Sequence, residues 1–379
     1  MALNVVSSDR LSTNVKTSNL ATGLSGKVGE SKNLIINGAM QVAQRGTVTG
    51  VTTSSYGGPD RWQASRADAP GTWQLSQVAD GPTGSGFSHC LEHKVTTANG
   101  SLDAGDEAVI QTTLEGQDLT QVKKGTSSAE QLTLSFWCKS STTGTYIVEF
   151  YDTDNNRQCS KSYTISSAAT WEKKTITFPA DTTGAFTADN NSSLAVKLWV
   201  AAGTTWTSGT LSTTWTSPTD ANRAVGQVNL SATLNNYFRL TGVQLEIGET
   251  ATEFEHRSYG DELAKCQRYF FNKKGDNTDF GGMVGYVNSA DTVRFNVNFP
   301  VPMRATPSFA GSATACYFDS SDDSAEFNIS TLAIVRANQT TSPSSLTLAT
   351  SSTSSVTAGQ GGQFEFRADS GYLNFSAEL

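Results

Sequence analysis

Leu132-Thr133-Leu134-Ser135-Phe136-Trp137-Cys138-Lys139-Ser140 places Leu132, Leu134, Phe136 and Cys138 in alternation with Thr133, Ser135 and Trp137. A period of two puts successive side chains on opposite faces, so this stretch predicts a strand with one buried face. After Thr142-Thr143-Gly144 comes Tyr146-Ile147-Val148-Glu149-Phe150-Tyr151, and Asp152-Thr153-Asp154-Asn155-Asn156 then reads as a hairpin tip. Thr175-Ile176-Thr177-Phe178 stops at Pro179, and both Leu194/Val196/Leu198/Val200 and Val243/Leu245/Ile247 alternate again. Short strands bounded by turn residues predict an antiparallel sandwich or jelly roll rather than βαβ units.

No long stretch carries a 3.6-residue period. One short helix is predicted after Ser258-Tyr259-Gly260-Asp261, a capping-box variant with Asp at its third helical position. Leu263, Cys266 and Phe270 follow it near helical spacing. Strands then resume. Val293, Phe295, Val297 and Phe299 alternate with Arg294, Asn296 and Asn298, while Phe364/Phe366 and Leu373/Phe375/Ala377 repeat the pattern beyond a Ser/Thr-rich stretch at 340–357. The expectation is an all-β chain in four parts: an extended polar leader at 1–33, a jelly-roll or β-sandwich domain at 34–257, a helical connector at 258–270, and a smaller antiparallel β domain at 271–379.

Composition narrows the function. Charged residues are only 16% of the chain, replaced by Ser, Thr, Asn and Gly, which suit solvated strands and turns. A net charge of -8 with no basic block argues against a nucleic-acid partner, which requires cationic density to displace counterions. The first residues carry neither a basic n-region nor an apolar h-region, so no secretion signal and no membrane insertion are expected. Five cysteines, odd in number and without a CxxC pair, predict reduced, buried thiols.

Several segments resemble a family of phage and prophage virion proteins described as tail fibre or structural proteins. They are Asn33-Leu34-Ile35-Ile36-Asn37-Gly38-Ala39-Met40-Gln41-Val42-Ala43-Gln44-Arg45-Gly46, Asp60-Arg61-Trp62, Ser135 to Ser140, and Thr170-Trp171-Glu172-Lys173-Lys174. Thr241-Gly242-Val243-Gln244-Leu245-Glu246-Ile247-Gly248, Phe254 to Gly260 and Leu263 to Tyr269 complete the set. The resemblance spans residues 33–270 and implies a carbohydrate-binding-module-like jelly roll in a virion protein made in the host cytoplasm. It further implies a homotrimeric tail fibre or appendage, because slender assemblies of identical chains bury strand edges between copies. Its partners would be other virion proteins and a host surface polysaccharide or protein. In this reading the leader attaches to the particle, with Leu3, Val5, Val6, Arg10, Leu11 and Lys16 as the attachment residues. A capsid decoration (cement) protein and a glycan depolymerase are the alternatives.

Candidate sites divide by chemistry. Trp206 and Trp215 stand nine residues apart in matching Thr-Thr-Trp-Thr-Ser contexts, and an indole in a polar loop suits stacking on the apolar face of a sugar. They are the glycan candidates, against the alternative that they cover a sandwich edge or an intersubunit contact. Trp62, Trp137, Trp171 and Trp199 lie in or beside strand patterns and are expected in the core. Asp152, Asp154 and Asn156 open like a calcium loop, but Arg157 occupies the glycine position and Tyr163 the glutamate position, which favours a plain turn. Asp319, Asp322 and Asp323 read as a solvated loop. His89 and His93 lack a third ligand for zinc. No nucleophile elbow, P-loop or paired-carboxylate signature is present, so no enzyme activity, metal or cofactor is expected.

Overall fold

The structure, a computed structural model, describes residues 32–68, 71–275, 283–289, 292–312, 316–320, 326–337, 343–352, 357–366 and 371–379. The attachment residues expected in the leader, Leu3, Val5, Val6, Arg10, Leu11 and Lys16, lie outside these residues, as do Asp322 and Asp323.

The alternating segments become strands, nearly all antiparallel neighbours of one another. In chain order they are β1 (Val48–Val51), β2 (Ser55–Tyr56), β3 (Gln63–Ala67), β4 (Thr72–Val78), β5 (Cys90–Thr97), β6 (Glu107–Glu115), β7 (Leu132–Ser140), β8 (Gly144–Asp152), β9 (Arg157–Ile165), β10 (Glu172–Phe178), β11 (Ser192–Ala202) and β12 (Tyr237–Ile247). Two six-stranded sheets result, ordered β1-β4-β5-β12-β7-β10 and β2-β3-β6-β11-β8-β9. Their facing sides form one core, in which Leu134, Phe136, Phe150, Phe178, Val196, Leu198, Phe238 and Leu240 are fully buried. Phe150 and Phe178 stack with centroids 3.6 Å apart across the two layers. The fold is therefore an all-β antiparallel sandwich, as the period of two predicts.

The helix α2 (Tyr259–Gln267) follows a four-residue turn of helix, α1 (Thr204–Thr207). Ser258 caps α2 by accepting from the Asp261 N–H at 3.2 Å, so the predicted capping residue performs that role. Beyond it, β13 (Phe270–Lys274), β16 (Ser308–Gly311) and β21 (Tyr372–Ser376) form a small sheet. The strands β14 (Met283–Ser289), β15 (Thr292–Asn298), β17 (Cys316–Ser320), β18 (Glu326–Ala337), β19 (Ser345–Ser352) and β20 (Gly361–Phe366) close into a barrel. Phe295 and Phe364 stack at 4.1 Å among its buried side chains. The alternation of Val293 to Phe299 predicts such a strand but not closure, which depends on pairings between segments distant in sequence. Among the described residues, no helix is long and apolar enough to cross a membrane. All five cysteines are free and buried.

Several of the segments quoted for the resemblance, at 33–46, 60–62, 254–260 and 263–269, meet at the seam between sandwich, helix and small sheet. Asn33 ties to the last sandwich strand through Nδ2 to the Val243 carbonyl (3.1 Å) and through the Leu245 N–H to its Oδ1 (3.0 Å). Asn37 donates to the Val42 and Asp60 carbonyls, and its N–H reaches Glu262 on α2. Gly38 has no substitute here, because a Cβ would stand 2.0 Å from the Val243 oxygen. Arg61 pairs with Glu378 while its guanidinium lies 3.5 Å over the Tyr269 ring, and Arg45 meets the same carboxylate at 3.0 Å. Arg268 forks onto Glu115 at 3.0 and 2.8 Å. Arg304 bridges the Asn190 and Ala377 carbonyls, each at 2.8 Å. Buried charges that share hydrogen bonds across a seam fix its geometry.

Candidate functional site

The tryptophans expected to bind glycan do not come together. Trp206, in α1, packs on the outer side of the second sheet against Trp199, with ring centroids 5.7 Å apart, and donates from Nε1 to the Gly105 carbonyl at 3.1 Å. Trp215 packs instead against the sandwich core and donates to the Pro179 carbonyl at 2.8 Å. Both rings are half-buried and both indole N–H groups are occupied. Trp62 and Trp199 are fully buried, as expected of core residues. Trp137 and Trp171 differ from that expectation: both are half-buried. Trp137 alternates with the core residues Phe136 and Cys138 and so points outward. Trp171 precedes its strand and donates to Asp80 at 3.3 Å.

The outer side of the second sheet carries a different arrangement. Ala64, Ile110, Val196 and Val148 face the core, so the intervening residues face outward. Strand register sets them in a row: Gln63 opposite Gln111, Gln111 opposite Lys197, Lys197 opposite Glu149, and Glu149 opposite Ser160. Gln63, Gln111, Lys197 and the adjacent Tyr151 are half-buried, whereas Glu149 and Ser160 are closed off. One flank of the row is covered by the 203–224 segment, under which Val109, Ile147 and Trp199 form a small second core. The other flank leads to Glu115, held by Arg268.

Charge and hydrogen bonding differ along the row. Glu149 is saturated: Arg223 donates to it at 2.8 and 3.2 Å and the Trp199 indole at 3.0 Å. The Arg223 guanidinium also lies 5.2, 5.5 and 5.0 Å from the Tyr151, Trp199 and Trp206 rings. Lys197 is different. Its ammonium lies 4.8 Å over Tyr151 and, among the described residues, has no carboxylate within ion-pair distance. Burial pulls its pKa below the ordinary lysine value against the attraction of Glu149. Gln111 donates to Gln63 at 2.7 Å, but its own Oε1 is buried with no partner. A lysine ammonium without an ion pair, a half-buried pair of glutamine amides and an aromatic ring thus lie along a strip of three strand gaps, about 14 Å long, with the Gln111 Oε1 itself closed off from solvent. Sequence reading missed this strip because register alone brings Gln63, Gln111 and Lys197 together. The available signal was Lys197 itself, a single charge among Leu194, Val196, Leu198 and Val200.

The other sequence candidates fall elsewhere. Asp152 and Asp154 sit at the β8–β9 tip, where Asp154 accepts from the Thr187 N–H at 2.8 Å. His93 lies inside the sandwich, stacked on Trp73 at 4.2 Å, while His89 bonds Ser88. Among the described residues no group of three His, Cys, Asp or Glu side chains is placed to hold a metal.

No family model and no curated protein matches the chain. Among solved structures, a tailspike protein 4 enzymatically active domain from bacteriophage CBA120 overlaps 57% of this chain at 14% identity and a TM-score of 0.31. That overlap takes in only 21% of the tailspike domain. The module TmCBM61, solved in complex with β-1,4-galactotriose, overlaps 57% of this chain and 99% of its own at 10% identity and a TM-score of 0.30. A family 11 carbohydrate-binding module from Clostridium thermocellum overlaps 55% and 99% at 12% identity and 0.27. Overlaps this loose establish no relationship in function.

Proposed function

We propose that the chain is a structural protein of a bacteriophage particle, a homotrimeric tail fibre or similar appendage, which binds a host-surface polysaccharide through the Gln63–Gln111–Lys197 strip without cleaving it. The observation that carries the binding reading is the strip. Sugars are recognised by side-chain amides and cations that engage hydroxyl groups and by rings that stack on C–H faces, and half-buried residues of each kind, Gln63, Lys197 and Tyr151, stand along this row. The one carboxylate in the row, Glu149, is held by Arg223 and Trp199, which leaves it poorly suited to act as an acid or base. The virion reading rests on the resembling segments. Several of them, at 33–46, 60–62 and 263–269, contribute to the seam that ties the sandwich to the following sheet, a joint of the kind an extended appendage requires. Val284 and Tyr286, 72% and 48% exposed on the barrel wall, offer apolar surface for neighbouring copies in a trimer.

Two measurements test this function. Purified chain titrated with host-surface polysaccharide should bind it and release no reducing ends; reducing ends accumulating with time would mean a depolymerase. Gel densitometry of purified particles should show a few tens of copies at most, since hundreds would indicate a decoration protein lining the shell.

A further inference from the structure

Lys124 is almost fully buried, at one end of the sandwich, where three loops meet. Its ammonium is surrounded by oxygen: Asp152 Oδ2 at 2.5 Å, Asp181 Oδ2 at 3.0 Å, the Thr183 carbonyl at 2.9 Å and the Gly184 carbonyl at 2.7 Å. The lysine side chain is 2% exposed and the two aspartate side chains 0% and 5%. Around this shell, Arg157 forks onto Asp181 at 2.7 and 3.0 Å, Asn155 donates to Asp152, and the Phe186 and Trp215 rings lie 5.2 and 5.3 Å from the nitrogen. Close approach of the loops requires glycine after the lysine: Gly125 has φ +81°, and a Cβ there would lie 2.5 Å from the Ala185 nitrogen.

Two carboxylates and two main-chain carbonyls converging on one point make an all-oxygen set of the kind hard divalent cations take. The three ammonium protons go to Asp152 and the two carbonyls, and Asp181 Oδ2, which accepts from Arg157, adds a fourth oxygen by charge alone. Asp152 is the first residue of the calcium-like Asp-x-Asp-x-Asn opening; the remainder of that motif departs to turn duties, with Asn156 at φ +52°. We infer that Lys124 is a tethered replacement for a metal ion: the chain occupies its own cation site with a side chain, and removing the ammonium converts the site to one that takes up calcium. The consequence for the native protein is that three loops at this end, including the one bearing Trp215, are pinned independently of divalent ions in the medium.

The test compares full-length wild-type protein with Lys124→Ala and Lys124→Met, in EDTA and in about 10 mM calcium. Both variants leave Asp152 without a cationic partner, while Asp181 keeps Arg157, and both should melt lower in EDTA, by about 10 °C. Calcium should restore at least half of the loss in Lys124→Ala, where the cavity is open, and little in Lys124→Met, whose side chain still fills it. Terbium excited through tryptophan should luminesce with Lys124→Ala, because Trp215 adjoins the site, and not with wild type. Equal response of the two variants to calcium, a Lys124→Ala protein that stays unfolded or unmoved in calcium, or terbium emission from wild type equal to that of the variant would each overturn the inference.

Discussion

His93 offers a quantitative test of how the sandwich interior is built. It is fully buried, stacks on Trp73 at 4.2 Å with an interplanar angle of 8°, and neither ring nitrogen has a hydrogen-bond partner. Burial, helped by the nearby Arg66 charge, pushes its pKa down to about 3. The folded value lies below the unfolded one, near 6.5, so the unfolded chain binds the proton first. His93 therefore leaves stability intact above pH 6.5 and erodes it as the pH falls from there towards 3. At about 1.4 kcal/mol per unit, acidification from pH 7 to about pH 4 costs roughly 3 kcal/mol through this group. Asp60, at the seam, works in the opposite direction. Burial raises its carboxyl to about 6 despite the Gln44 hydrogen bonds, so its protonation adds stability as the pH falls below 6. Over the same interval that gain is about 2.5 kcal/mol.

His93→Phe fills the same space with a ring that needs no partner, and replacing an unsatisfied buried polar group in this way is neutral or stabilising at pH 7. Urea unfolding followed by tryptophan fluorescence at several pH values should show the variant losing about 3 kcal/mol less than wild type between pH 7 and about 4. Asp60→Asn should lose about 2.5 kcal/mol more than wild type over that range. If the curves for wild type and His93→Phe run parallel, His93 is protonated or solvated in the fold and the description of this interior is wrong.

At the seam, Arg61→Met leaves the Glu378 carboxylate to Arg45 alone and should cost about 1–3 kcal/mol, less than the loss from Glu378→Leu, which leaves both arginines without that carboxylate; thermal melts of the variants decide it. Trp215→Ala should lower stability by about 3 kcal/mol through lost core contacts and the Pro179 hydrogen bond, and Trp206→Ala by less, since its ring covers only the outer cluster. If both tryptophans can be replaced without change in melting while adsorption to host cells falls, they are the glycan contacts that their sequence context suggested. Deleting residues 1–32 should leave a folded protein that no longer enters particles, with normal incorporation counting against an attachment role for the leader.

Local pattern carried most of the architecture. Alternation in Leu132–Ser140 and Leu194–Val200 marked strands with a core face, and Ser258 with Asp261 marked the helix start, because these signals act over a few residues. What escaped was whatever depends on distant pairing. Nothing in Val293–Asn298 announces that its sheet closes on itself. Trp137 sits on the outward phase of its strand, a placement the alternation already gives, and that phase prevails over the general tendency of tryptophan to be buried. The strip was invisible because Gln63, Gln111 and Lys197 become neighbours only through the registers of β3, β6 and β11. Lys124 stood out in no pattern, yet it forms contacts with residues 28 and 60 positions away.

The most direct test of the central claim is the affinity of the chain for host-surface polysaccharide before and after the strip is erased with Gln111→Ala and Lys197→Met. Hydrogen bonds from an amide and a charged donor are together worth about 2–4 kcal/mol, so binding measured by calorimetry should weaken at least about thirtyfold while the melting temperature stays within a few degrees of wild type. Undiminished binding by a folded double variant would contradict the claim and place recognition outside this sheet.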